Sequence, residues 1–131
     1  MPDKVRLDPK QVEQFVGVAH GDFAKVQELL QSEPALINAA WDWGGGDWET
    51  ALGAAAHMGR KDIARHLLAH GARMDIFAAA MLDKVEIVQA LIADDPALSH
   101  AAGPHGIPLT AHAQAGEAQA VITYLGSLPT A

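Results

Sequence analysis

The chain is 131 residues long, 50% apolar and 19% charged, which is the balance of one folded domain with its own core and excludes a disordered segment. Nine Lys and Arg stand against 16 Asp and Glu, a formal charge of −7 spread along the chain, which repels nucleic-acid phosphates and anionic membranes and reads mainly as solubility. There is no cysteine, so disulfides, thiolate catalysis and Cys-based zinc sites are excluded together.

The first residues, Met1-Pro2-Asp3-Lys4-Val5-Arg6-Leu7-Asp8, lack the apolar core of a signal peptide, and no later run has the length of a bilayer span. A soluble, cytoplasmic protein is the expectation. Asp8 followed by Pro9 is an N-cap with proline in the first helical turn, so the first helix is predicted to begin there. From that point four segments each pair a small apolar run with a second run rich in large apolar residues: Phe15 to Leu30, Thr50 to Leu68, Ile76 to Ile92 and Leu109 to Leu125. Counting five, eight and nine residues on from Gly21, Gly59, Asp83 and Gly116 gives Val26, Leu29, Leu30; Ala64, Leu67, Leu68; Val88, Leu91, Ile92; and Val121, Tyr124, Leu125. Spacings of three and four put each trio on one helix face.

The shorter runs carry Ala54-Ala55-Ala56 and Ala78-Ala79-Ala80, small side chains that let helices approach closely and mark the inner helix of each pair. Gly21, Gly59 and Gly116 sit between the helices, where a residue free to take positive φ closes one and opens the next; Asp83 replaces glycine in the third copy and tolerates that conformation next best. Glu33-Pro34 and Asp95-Pro96 stop the first and third outer helices, and Leu128-Pro129-Thr130-Ala131 stops the last. The successive intervals between Gly21, Gly59, Asp83 and Gly116 are 38, 24 and 33 residues. The short one leaves no room for a hairpin between Gly71 and Ile76, while the long one enlarges the connection Asn38 to Thr50.

Thr50-Ala51-Leu52-Gly53-Ala54-Ala55-Ala56-His57-Met58-Gly59-Arg60, with Leu67-Leu68-Ala69-His70-Gly71-Ala72 after it, resembles the T-P-L-H-x-A-A-x-x-G-H repeat and helix end of the ankyrin-repeat family. Ile107-Pro108-Leu109-Thr110-Ala111-His112-Ala113-Gln114-Ala115-Gly116 is a second such stretch. The motif's histidine is replaced by Gly53, Phe77 and Thr110 in successive copies. The resemblance implies an all-α ankyrin-repeat solenoid, of bacterial type, with about four irregular helix-turn-helix repeats over roughly 8–38, 39–72, 73–99 and 100–127 of a single domain 1–131. The first and last repeats would be caps, and a Trp/Gly-rich hairpin would stand between repeats 1 and 2.

A solenoid of this kind binds on its concave side. The resemblance implies that the two positions before each inter-helix glycine face it: Ala19 and His20, His57 and Met58, Met81 and Leu82, Gln114 and Ala115. Beside this strip lies the enlarged hairpin with all three tryptophans, Trp41, Trp43 and Trp48, and the aspartates Asp42 and Asp47 around Gly44-Gly45-Gly46. Tryptophans there serve as binding anchors or fold back to cover the gap left by the missing third hairpin. The glycine run lacks the Lys and Ser or Thr of a phosphate-binding loop.

The expected ligand- or partner-binding set is therefore His20, Trp41, Asp42, Trp43, Asp47, Trp48, His57, Met58, Met81, Leu82, His105 and Gln114. His20 and His57 are expected to be neighbours, with Asp42 or Asp47 reaching over from the hairpin above an apolar floor of Met58, Met81 and Leu82. His66 and His70, four residues apart on an outer helix, read as a solvent-side feature, His100 and His105 as polar residues of the last hairpin, and His112 as a hydrogen-bonded, partly buried side chain. No metal-ligand motif is present, so no metal and no cofactor are expected. The function expected is a binding module for a protein segment or a small molecule. The alternative is a small enzyme using His/Asp acid–base chemistry in the same groove.

Overall fold

A computed structural model of the chain describes residues 4–129; Met1 to Asp3 at the start, and Thr130 and Ala131 of the expected terminal stop, lie outside the described residues. The elements run α1 (Pro9–Val18), α2 (Phe23–Ser32), a 3-10 turn (Pro34–Asn38), β1 (Ala40–Asp42), β2 (Trp48–Thr50), α3 (Ala51–His57) and α4 (Lys61–Ala69). They continue with α5 (Ile76–Met81), α6 (Val85–Asp94), two 3-10 turns (Pro96–His100 and Pro104–Gly106), α7 (Leu109–Ala115) and α8 (Gln119–Ser127). Each odd-numbered helix packs on the even-numbered helix after it and also on the next odd-numbered one, so α1, α3, α5 and α7 form a continuous inner row. Among the described residues no helix is long and apolar enough to cross a membrane.

Local chemistry sets these boundaries. Asp8, Asp22, Thr50 and Asp75 cap α1, α2, α3 and α5 by accepting the backbone N–H groups of Lys10, Lys25, Gly53 and Ala78, each cap contributing about 1 kcal/mol. Pro34 and Pro96 end α2 and α6, and in both cases the acidic residue before the proline caps the 3-10 turn that follows. Ala54 to Ala56 and Ala78 to Ala80 are fully buried, which lets the inner helices lie close together. The core is two abutting clusters, one around Phe15, Leu52 and Leu67 and one around Val88, Leu109 and Val121.

The inter-helix positions depart from the sequence alignment at two of the four copies. The left-handed residues are Gly59 at φ 67°, Asp83 at φ 60° and Glu117 at φ 53°, so the fourth copy is shifted by one and Gly116 precedes the left-handed position. Gly116 is glycine for a different reason: a Cβ there would overlap the Met81 carbonyl. Gly21 does not adopt positive φ either; Asp22 opens α2 by side-chain capping.

Between α4 and α5 the chain passes from Ala69 to Ile76 without strands, as the short interval predicts. The enlarged connection forms an antiparallel hairpin pairing Ala40 with Thr50, Trp41 with Glu49 and Asp42 with Trp48. Its tip turns through Gly44, Gly45 and Gly46 at φ 134°, 63° and 86°, and Asp42 accepts the N–H groups of Gly44 and Gly46 at 2.8 and 3.0 Å. The strand alternation sends Trp48 outward, 60% exposed, and Glu49 inward, 1% exposed.

Candidate functional site

The inward carboxylate of Glu49 is the hub of a cluster drawn from four parts of the chain. His20 follows the end of α1, His57 is the last residue of α3, His105 sits at φ 62° in the 3-10 turn Pro104–Gly106, and Glu49 comes from β2. His20 Nε2 is 3.2 Å from Glu49 Oε1, His57 Nε2 is 3.0 Å from Oε2, and His105 Nε2 is 3.2 Å from Oε2. Trp43 Nε1 donates to Oε1 at 2.9 Å. The imidazole rings meet edge to face, 5.0 Å apart for His20 and His57 and 5.3 Å for His57 and His105.

The far side of two of these rings is also held. His20 Nδ1 lies 3.1 and 3.0 Å from the carbonyl oxygens of Val16 and Gly17, and His105 Nδ1 lies 2.7 Å from Asp47 Oδ2. Carbonyls and carboxylates only accept, so in both rings Nδ1 carries the proton; in the neutral ring Nε2 is then a bare lone pair. Burial pushes the Glu49 carboxyl up, but the close approach of His57, the His20 and His105 rings and the Trp43 N–H outweigh it and hold it below the ordinary carboxylate range. Burial pulls His105 down, yet Asp47 and Glu49 prevail and raise it above the ordinary histidine value. Asp47 is lowered, first by the backbone N–H of His105 and then by its ring.

Of the residues expected at the site, His20, Trp43, Asp47, His57 and His105 are thus brought together. The carboxylate that meets His20 and His57 is Glu49 and neither of the expected aspartates: Asp47 pairs with His105, and Asp42 is occupied with the glycine turn. Trp41 packs against the first core cluster, whereas Trp43 and Trp48 are 40% and 60% exposed. Met58 is exposed and Gln114 is exposed at the end of α7, but neither makes a side-chain hydrogen bond or ion pair with the cluster among the described residues. Met81 does not form a groove floor: it is fully buried, because α5 packs so tightly on α7 that its last residue is enclosed, and Leu82 is half-buried against the same core.

Glu49 is not among the residues expected at the site. The signal was present in Trp48-Glu49-Thr50: a strand that turns its tryptophan outward turns the neighbouring glutamate inward, where a carboxylate needs partners. His105, expected as a plain hairpin residue as well as a binding candidate, is a full member of the cluster. His112 is buried with Nδ1 2.9 Å from the Pro108 carbonyl; burial pushes its pKa down. His66 and His70 stack at 4.2 Å on the outer side, beside a cleft of about 530 Å³ lined by Gln27, Leu30, Gln31 and Pro34, far in chemistry from the Glu49 hub.

The cluster offers three imidazoles and one carboxylate whose ligand-type atoms all lie within 4.8 Å of one another. That convergence is invisible to spacing rules, since the residues are scattered from position 20 to position 105.

A family model for the ankyrin repeat matches residues 47–78, the stretch that contains β2, α3, α4 and the start of α5. No curated protein and no solved structure matches the chain. Ankyrin repeats are generally protein-interaction modules. The matched repeat lies at the centre of the chain, with helix pairs packed on either side of it.

Proposed function

We propose that the four helix pairs form a single ankyrin-type solenoid, the outer two acting as caps, and that it works as a binding module for a protein segment through the face on which the tryptophan hairpin stands. The observation that carries this is the exposure of Trp48, 60% in water, on a braced hairpin. Exposing a tryptophan is costly unless a partner covers it, and rigid aromatic anchors are enriched at binding hot spots. The hairpin is held in place by the Trp43–Glu49 bond on one side and the Asp47–His105 contacts on the other, so little ordering entropy is lost on association. Exposed Met58 adds apolar surface, and the net charge of −7 favours a basic or neutral segment over an acidic one.

A small ligand in the cleft of about 300 Å³ between Leu7, Val12, Trp41 and Trp48 is the competing occupant of the same face. Acid–base catalysis is less well supported, because the Nε2 atoms of His20, His57 and His105 all face the Glu49 carboxylate at 3.0–3.2 Å instead of open space. The test is affinity capture from a lysate with the wild-type chain and with Trp48→Ala. Loss of a captured protein, by about 30-fold in affinity for a hot-spot residue, with the melting temperature unchanged, supports the proposal. An identical captured set with both proteins overturns it.

A further inference from the structure

We propose that His20, Glu49, His57 and His105 bind one divalent first-row transition metal ion of the zinc type. Although three imidazole Nε2 atoms lie 3.0–3.2 Å from the Glu49 oxygens, the side-chain hydrogen bond Glu49 receives among the described residues is the one from Trp43. Glu49 Oε2 and His57 Nε2 are both buried and both without a hydrogen-bond partner, at 3.0 Å from each other. Four donor atoms that approach closely without aligning as donor and acceptor are arranged around a point between them.

Protonation offers no better account. Nδ1 of His20 faces carbonyls and Nδ1 of His105 faces a carboxylate, so for either ring to donate to Glu49 through Nε2 it must be an imidazolium. Two imidazolium rings, His20 and His105, with centroids 6.2 Å apart would crowd two positive charges about one buried carboxylate. Leaving the rings neutral instead sets lone pairs against a buried anion. Among the described residues the ion pairs of Lys and Arg are Lys25–Glu28 and Arg60–Asp62, and neither supplies the missing cation. A divalent ion accepts the Nε2 lone pairs, neutralises Glu49, and leaves the Nδ1–H groups of His20 and His105 where they are.

The geometry suits such an ion. Ligands about 2.0–2.1 Å from a tetrahedral zinc stand about 3.3 Å from one another; each imidazole is 3.0–3.2 Å from its nearer carboxylate oxygen, Oε1 for His20 and Oε2 for His57 and His105, and the ligand atoms all lie within 4.8 Å of one another. The donor set of three nitrogens and a carboxylate, with no thiolate, selects zinc, iron, cobalt, nickel or manganese over calcium or magnesium. The outer hydrogen bonds are the kind that orient metal-binding histidines: backbone carbonyls behind His20 and Asp47 behind His105. Glu49 is buried while His20 and His105 keep partial solvent access, which provides an entry path. An ion here would tie the first helix pair, the tryptophan hairpin, the second pair and the last hairpin together.

The test uses tag-free full-length protein stripped with a chelator and titrated calorimetrically with zinc chloride, and separately with manganese, cobalt and nickel chlorides. The expected result is one equivalent bound, with a melting temperature that rises with metal and falls again on chelation. His57→Ala and Glu49→Gln should weaken zinc binding by more than about 100-fold, and Asp47→Asn by about 10- to 100-fold. His105→Ala, on an exposed turn, should lose binding while circular dichroism shows the helices intact. His66→Ala with His70→Ala is the control and should bind as wild type does. Failure of the folded wild-type protein to take up any of these ions overturns the assignment, as does uptake that survives His105→Ala and disappears in the His66 and His70 control.

Discussion

Asp47 and His105, 58 residues apart, are joined twice: the carboxylate of Asp47 accepts the backbone N–H of His105 at 2.8 Å and faces its ring Nδ1 at 2.7 Å. The tryptophan hairpin and the last hairpin therefore hold each other. Replacing Asp47 by Ala removes both bonds. The His105 amide is then expected to exchange its hydrogen at least about tenfold faster, the scale of one lost hydrogen bond, with the amides of α4 and α6 unchanged. Hydrogen exchange followed by NMR checks this, and an unaltered His105 rate would show that the two hairpins are held by something else.

Gly116 and Gly126 make opposite predictions from the same substitution. A Cβ at Gly116 overlaps the Met81 carbonyl, so Gly116→Ala must push α5 from α7 and is expected to destabilise by about 1–3 kcal/mol. Gly126 lies in α8, exposed, with nothing near its absent Cβ, and Gly126→Ala is expected to stabilise by about 0.5–1 kcal/mol. Urea denaturation of the two variants, compared through their midpoints at equal slope, separates them.

The three tryptophans divide between core and surface. Trp41 packs on the cluster around Phe15 and Leu52, so Trp41→Ala is expected to cost about 2 kcal/mol or more by leaving a cavity. Trp48→Ala is expected to lie within about 0.5 kcal/mol of wild type, as for an exposed side chain away from packing. Thermal melts of both proteins check the contrast; equal losses would mean that Trp48 also covers the core.

His112 imposes an acid sensitivity. Burial holds its folded pKa below 6.5, opposed in part by the bond to Pro108 and the charge of Asp75 and reinforced by His57. The unfolded chain therefore takes up this proton at higher pH than the folded one does. Its contribution to stability is intact above pH 6.5 and is lost as pH falls from 6.5 toward the folded value. His112→Phe removes the titration while filling the space beside Phe77. Between pH 7 and pH 5 the variant should lose less stability than wild type, by about 1 kcal/mol for each unit of pKa difference. Denaturant midpoints at the two pH values decide it, and parallel losses would count against a buried neutral ring.

Much of the scaffold was legible along the chain because it depends on neighbours in sequence. The trios spaced by three and four, the Asp8 and Pro9 start, the stops at Pro34 and Pro96, the absent third hairpin and the left-handed Asp83 all express local backbone and side-chain preferences. In the fourth copy the glycine predicts a left-handed turn one residue ahead of Glu117, which adopts it. Gly116 is there for a contact with Met81, which is a property of packed helices and leaves no local mark.

What the sequence determined by itself was a set of helix pairs and a tryptophan hairpin with histidines near by; it did not determine what those histidines face. Only the tertiary structure turned Glu49 inward, enclosed Met81, and carried His105 across to Asp47 and Glu49. The physical reason is that helix and turn preferences act over a few residues. Where a side chain ends up across the stack is set by interhelical packing and strand alternation, whose distances are fixed only when the whole chain is folded.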